Sequence, residues 1–97
     1  MHSNALWHQQ DDCLFFQGRW THESVSAVWH ELPKRGVVRV NVTDVPQFDS
    51  SFLTLILQLA PSTQQSLIIR GASTAMLSLL SLYNLTSLLT IEANDYE

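Results

Sequence analysis

A carboxylate and two hydroxyls stand in a row at Asp49-Ser50-Ser51, between a valine-rich strand pattern and an apolar helical run from Phe52 to Ala60. At the amino end of a helix such groups meet backbone N–H donors that lack partners and carry partial positive charge. That setting suits a cap, an anion or a phosphate. A serine nucleophile would also need a base in reach, itself oriented by a third group. The histidines, His2, His8, His22 and His30, carry no signature of that kind. Phe48 and Phe52 stand where the glycines of a G-x-S-x-G elbow around Ser50 would be. His22 and His30 do not form the i, i+4 pair of a helical zinc motif, and Gly18, Gly36 and Gly71 are too scattered for a phosphate loop. Two readings of the turn remain: Asp49 or Ser50 caps the helix, or an exposed hydroxyl contacts a partner or accepts phosphate.

The chemistry left after those exclusions is that of a surface, and composition narrows it further. The chain has 97 residues, 45% of them hydrophobic and only 14% charged, enough for one modest core and with apolar surface to spare. Net charge is −4, and Arg19, Lys34, Arg35, Arg39 and Arg70 form no basic stripe, which argues against nucleic acid or anionic lipid as a direct partner. Cys13 lies in an apolar strand pattern, is expected to be a small buried hydrophobe, and has no second cysteine to pair with. Met1-His2-Ser3-Asn4 has neither the basic nor the apolar region of a signal peptide. The longest mostly apolar run falls far short of the roughly 20 residues that span a bilayer. The expectation is a soluble cytoplasmic domain over residues 1–97, with no cofactor, no metal, no membrane insertion and no small-molecule substrate.

The elements that must position the turn follow from periodicity. Leu6 to Gln9 reads as a short strand, Gln10-Asp11-Asp12 as a hairpin turn, and Cys13 to Gly18 as the returning strand. Thr21 offers an N-cap, and Val25, Val28, Trp29 and Leu32 follow at i, i+3, i+4 and i+7, an amphipathic helix stopped by Pro33 and Gly36. In Val37 to Val42 the valines at 38, 40 and 42 share one face, and Arg39 and Asn41 leave the other partly wet. A strand covered on both faces would be apolar throughout. Asp44-Val45-Pro46 then leads to the turn and the second helix, closed by Pro61. A polar loop over 62–66, a strand Leu67 to Arg70, a third helix through about Asn84, and a short strand Leu88 to Glu92 complete the order. The fold class is α/β: a mixed, mainly parallel sheet with an N-terminal antiparallel hairpin and helices mainly on one face.

The helices carry more apolar surface than that plan uses. Leu53, Ile56, Leu57 and Ala60 form one face of the second helix, and Phe52, Leu55 and Leu59 form an adjacent stripe. Together they span roughly 200°, twice the ~100° a core-facing surface helix needs. In the third helix Met76, Leu77, Leu80 and Tyr83 suit the core, while Leu79 and Leu82 widen the arc. Either these helices are buried on more than one side, or the surplus marks a protein interface.

Nearly the whole chain resembles a STAS domain, the fold of bacterial anti-sigma-factor antagonists and sulfate-transporter tails. The resemblance rests on the strand Val37 to Val42, the Asp44 turn, Phe48-Asp49-Ser50-Ser51 opening a helix, and Ile68-Ile69-Arg70-Gly71 before the next helix. Within that family it is most similar to the MlaB-like group, the small STAS subunits of Mla phospholipid-transport ABC complexes. Trp7, Gly18, Trp29 and Leu82-Tyr83-Asn84-Leu85 carry that part. The resemblance implies a non-enzymatic cytoplasmic subunit, peripheral to the inner membrane, that binds the transporter ATPase and supports outer-membrane lipid asymmetry. Ser50 takes the place of a functional threonine in that group. Ser51 matches the serine that is phosphorylated in the sigma-factor antagonists, which supplies the alternative reading. Phe52 replaces a glycine of both groups. The partner surface expected on this basis comprises Asp49, Ser50, Ser51, Phe52, Leu55, Leu79 and Leu82, with Ser50 bonding across the interface and Phe52 disfavouring a phosphoswitch at Ser51.

Overall fold

The computed structural model describes residues 5–32, 37–59, 67–86 and 89–92. The stop at Pro33–Gly36, the close of the second helix at Ala60 and Pro61, the polar loop 62–66 and the two chain ends lie outside these residues. The described elements are β1 (Leu6–Gln10), β2 (Cys13–Trp20), α1 (His22–Val28) continued by a 3-10 turn (Trp29–Glu31), β3 (Arg39–Phe48), α2 (Ser50–Leu59), β4 (Leu67–Arg70), α3 (Thr74–Leu82) and β5 (Leu89–Glu92).

The sheet order equals the chain order, β1-β2-β3-β4-β5. β1 pairs antiparallel with β2 through a two-residue turn at Asp11-Asp12, and the other pairings are parallel. Each helical crossover therefore steps the same way across the sheet. With the usual right-handed crossover, every helix lands on the same face. Burial follows that geometry. Leu14, Phe16, Val40, Val42, Leu67, Ile69 and Leu89 are buried under the helices, while Phe15, Asn41, Ile68 and Arg70 on the opposite face are half-buried or exposed.

That opposite face also holds Cys13, contrary to its expected place in the core. It is half-buried, because residues alternate faces along a strand and Cys13 shares its side with Phe15 rather than with Leu14 and Phe16. Burial nonetheless pushes its thiol pKa up, with Arg39 opposing the shift less strongly. Arg39 and Arg70 lie on the same open face, beside Asp12 at 3.8 Å and Glu92 at 4.0 Å.

The expected boundaries change most in β2 and β3. Gly18 does not end β2: at φ 90° it sits where the register shifts between Gln17 and Arg19, and the strand continues to Trp20. β3 likewise runs through Asp44-Val45-Pro46 to Phe48 instead of stopping at Val42. Two irregularities absorb its extra residues, as Gln17 pairs with Asp44 and Arg19 with Gln47. The consequence is functional geography, because the bulged pair carries the chain farther and delivers Asp49 directly beside Trp20, whose carbonyl accepts the Asp49 N–H at 3.2 Å.

Gly71, at the end of β4, has a different reason to be glycine. Its φ is +82°, and a Cβ there would lie 2.8 Å from both the Cα and the N of Thr43. Gly71→Ala is expected to cost about 2–3 kcal/mol of unfolding free energy, read from the urea midpoint. A loss below about 0.5 kcal/mol would mean that the β4–α3 turn can open away from β3.

Candidate site at the start of the second helix

Asp49 holds two helices by their amino ends. Its Oδ1 accepts the Ser51 N–H at 2.9 Å, closing the first turn of α2, and its Oδ2 accepts the His22 N–H at 2.9 Å, at the first residue of α1. Thr21, the expected cap of α1, makes no side-chain cap bond, so the carboxylate from the neighbouring loop supplies it. Both oxygens accept from backbone N–H groups at helix amino ends that have no partner within their own helix. The Phe52 N–H donates to the Asp49 carbonyl at 3.0 Å, and the Thr54 hydroxyl to the Ser50 carbonyl at 3.2 Å. The turn is thereby pinned from both sides.

What this pinned turn presents outward is Ser50. Its side chain is exposed, and its hydroxyl makes no hydrogen bond to the described residues. Ser51, half-buried, faces a groove of ≈ 510 Å³ between α1 and α2, lined by His22, Val25, Trp29, Thr54, Leu55 and Gln58 among others. A second groove of ≈ 480 Å³, which reaches the turn at Phe48, is formed by Arg19, Thr21, Pro46, Gln47, Phe48, Ala75 and Leu79.

Two of the expected contact residues belong elsewhere. Phe52 is 0% exposed and Leu55 1%. Phe52 turns inward from the first turn of α2 onto the rings of Phe16 and Trp20, with centroids 5.2 and 5.5 Å away. It neither enlarges a docking face nor crowds Ser51 at the surface. Leu55 is covered because α1 packs over α2. The same packing accounts for the double-width apolar arc: one side of α2 faces the sheet and the adjacent side lies under α1. In α3, Met76 and Leu80 are buried, Leu79 is half-buried in the second groove, and Leu82 is 72% exposed. Tyr83, which spacing left as either a core or an interface anchor, is 51% exposed where α3 ends.

Ser51 and His22 share a groove wall, and Asp49 is close to both, which invites comparison with a hydrolase triad. The relay is absent: both Asp49 oxygens accept backbone N–H groups, and neither serine hydroxyl is hydrogen-bonded to the imidazole. Among the described residues no three His, Cys, Asp or Glu side chains converge in the manner of a metal site, and no helix is long and apolar enough to cross a membrane.

The sequence contained signals for the groove that periodicity alone did not use. Ser51, Thr54 and Gln58 form a polar stripe at i, i+3 and i+7 along α2, the line left uncovered beside α1. Arg19, Pro46 and Phe48 offered no such pattern, since only the continued pairing of β2 with β3 brings them together.

Residues 5–90 match the protein-family model described as "Mlab, STAS domain". The chain belongs to the MlaB STAS-domain family. Comparison with curated proteins gives no match. Several residues that mark the MlaB-like resemblance build the fold. Gly18, at φ 90°, lies in β2 opposite the extra residue of β3. In Leu82-Tyr83-Asn84-Leu85, Asn84 adopts φ 60°, its N–H donates to the Ser81 carbonyl at 3.0 Å, and the Leu85 N–H reaches the Leu80 carbonyl at 2.8 Å. Those two bonds are a Schellman stop to α3. The Asp49-Ser50 turn differs in kind, because it ends in an exposed side chain whose hydroxyl has no hydrogen bond among the described residues.

Proposed function

We propose that this MlaB-family domain is a non-catalytic subunit that binds the cytoplasmic ATPase of an Mla-type phospholipid-transport ABC complex and supports its assembly or activity in outer-membrane lipid asymmetry. The observation that carries the reading is the hydroxyl of Ser50, exposed and without a hydrogen bond among the described residues, on a turn whose backbone is fixed by Asp49 and whose residues Phe48 and Ser51 each line a groove. A preorganised donor–acceptor on a turn that reaches two recesses is a docking feature, since little ordering entropy remains to be lost on binding. Ser50 bonds across the interface, Ser51 and Asp49 hold its shape, and Leu79 and Leu82 supply apolar contact. The domain itself is cytoplasmic and reaches the inner membrane only through its partner.

Titration of the purified Mla-type ATPase onto the full chain tests this. Ser50→Ala is expected to weaken binding about 5- to 30-fold, the cost of a lost interfacial hydrogen bond with its partner left unsatisfied, while the thermal midpoint stays within about 2 °C. Unchanged affinity would remove Ser50 from the interface. Co-purification of a serine-kinase anti-sigma factor, with phosphate on Ser51, would replace the transporter reading with that of an anti-sigma-factor antagonist. A phosphate there would add about −1.5 to −2 charges beside the Asp49 carboxylate.

A further inference from the structure

Resting on that docking reading, we infer that the second groove selects the partner: Arg19 pairs with a carboxylate of the ATPase, and an apolar side chain beside that carboxylate fills the recess over Pro46, Phe48 and Leu79. The argument begins with where the positive charge lies. The described residues include three cations, Arg19, Arg39 and Arg70. Arg39 and Arg70 face Asp12 and Glu92 on the open side of the sheet. Arg19 is exposed, has no ion pair or side-chain hydrogen bond with the described residues, and lines the groove next to the Asp49-Ser50 turn.

One further feature gives the groove a positive lean on a chain of net charge −4. The first turn of α3 enters its wall at Ala75. Its amino end adds partial positive charge to that of the guanidinium. The α1–α2 groove is different, having no Lys or Arg in its lining. The two recesses therefore ask for different chemistry. A guanidinium fork above an apolar floor fits an Asp or Glu next to an aliphatic or aromatic side chain, with the charge held by paired N–H donors and the neighbour by burial. A free inorganic anion would use the fork and leave the apolar floor empty.

The test uses the full chain and the purified ATPase, with affinity measured by calorimetry at low and high NaCl. Arg19→Glu is expected to weaken binding about thirtyfold at low salt and by a smaller factor at high salt, as an interfacial charge pair requires. Arg19→Gln should fall between Arg19→Glu and the parent, and Leu79→Asp should weaken binding at both salt concentrations. Circular dichroism of each variant confirms that the fold is kept. If Ser50→Ala weakens binding while Arg19→Glu leaves affinity and salt dependence unchanged, this inference falls and the docking surface stands. If neither substitution matters, the docking surface falls with it. Titration with inorganic phosphate alone is the remaining arm: saturable binding at micromolar concentration, lost in Arg19→Glu, would make the groove a small-anion site and overturn the assignment to a protein carboxylate.

Discussion

Phe52→Ala is expected to lower the unfolding free energy by about 3–5 kcal/mol, the usual cost of truncating a fully buried aromatic ring. The ring has no exposed surface. It packs at 83° to Phe16, which in turn meets Trp20 edge-on at 5.0 Å, so three aromatic side chains share one volume between α2 and the end of β2. Such pairs add about 0.5–1.5 kcal/mol beyond the area they bury, and a methyl group in place of the ring leaves a cavity that Trp20 cannot fill. The Trp20 indole is anchored through its N–H to the Gln17 carbonyl at 2.9 Å. Phe52→Gly, which restores the residue implied by the wider family pattern, should cost about 1 kcal/mol more through helix propensity. Against a total stability of about 5–15 kcal/mol, either change removes a large fraction of what holds the domain folded. Urea unfolding monitored by far-UV circular dichroism checks this, with Phe52→Leu as the milder comparison at about 1–2 kcal/mol. A loss below 1 kcal/mol for Phe52→Ala would place the ring at the surface after all.

The position of Phe52 also shows what periodicity conveys and what it omits. Alternation in Val37 to Val42 correctly gave a sheet with one wet face, and the order of strands and helices gave a mixed, mainly parallel sheet. Those properties live within single elements. The width of the apolar arc on α2 was legible too, but its meaning was not. A helix whose apolar arc is too wide for one contact is covered either by another element of the same chain or by a partner, and hydropathy is identical in the two cases. The deciding fact is that α1 packs across α2, which depends on the path of the chain between β2 and β3. Gly18 illustrates the same limit on a smaller scale. A glycine at the end of an apolar run reads as a stop, yet a strand that runs past a bulge in its neighbour can also use a residue at φ > 0, and only the partner strand distinguishes them.

The site was legible in its centre and hidden at its edges. Asp49-Ser50-Ser51 stood out because Asp and Ser before a helix have a known electrostatic use. That Asp49 would serve a second helix could not be read from spacing, because His22 is 27 residues away. The contact surface was misassigned at Phe52 and Leu55 for a related reason. The first turn of α2 lies directly over the Phe16–Trp20 pair, so its apolar side chains turn down and leave the polar ones, Ser50, Ser51 and Thr54, around the rim.

The double role of Asp49 yields a prediction that separates shape from contact. Asp49→Ala removes the acceptor for two helix ends at once and is expected to cost about 2–3 kcal/mol, the sum of two caps at about 1 kcal/mol each plus the unfavourable exposure of their donors. Asn at this position keeps one acceptor oxygen and replaces the other with a donor, so Asp49→Asn can retain one cap and should cost about half as much. Amide hydrogen exchange reads the two caps individually. In Asp49→Ala both the His22 and Ser51 amides should lose protection, while in Asp49→Asn one of the two should keep it. If both amides stayed protected in Asp49→Ala, the N–H groups would have found other acceptors and the carboxylate would not be what joins α1 to α2. Partner binding should weaken in Asp49→Ala although its carboxylate is engaged by the two helix ends, because Ser50 loses the fixed backbone that holds its hydroxyl in place. Ser50→Ala should show the reverse pattern, with binding lost and both amides still protected. That contrast is what distinguishes a residue that builds the surface from one that touches the partner.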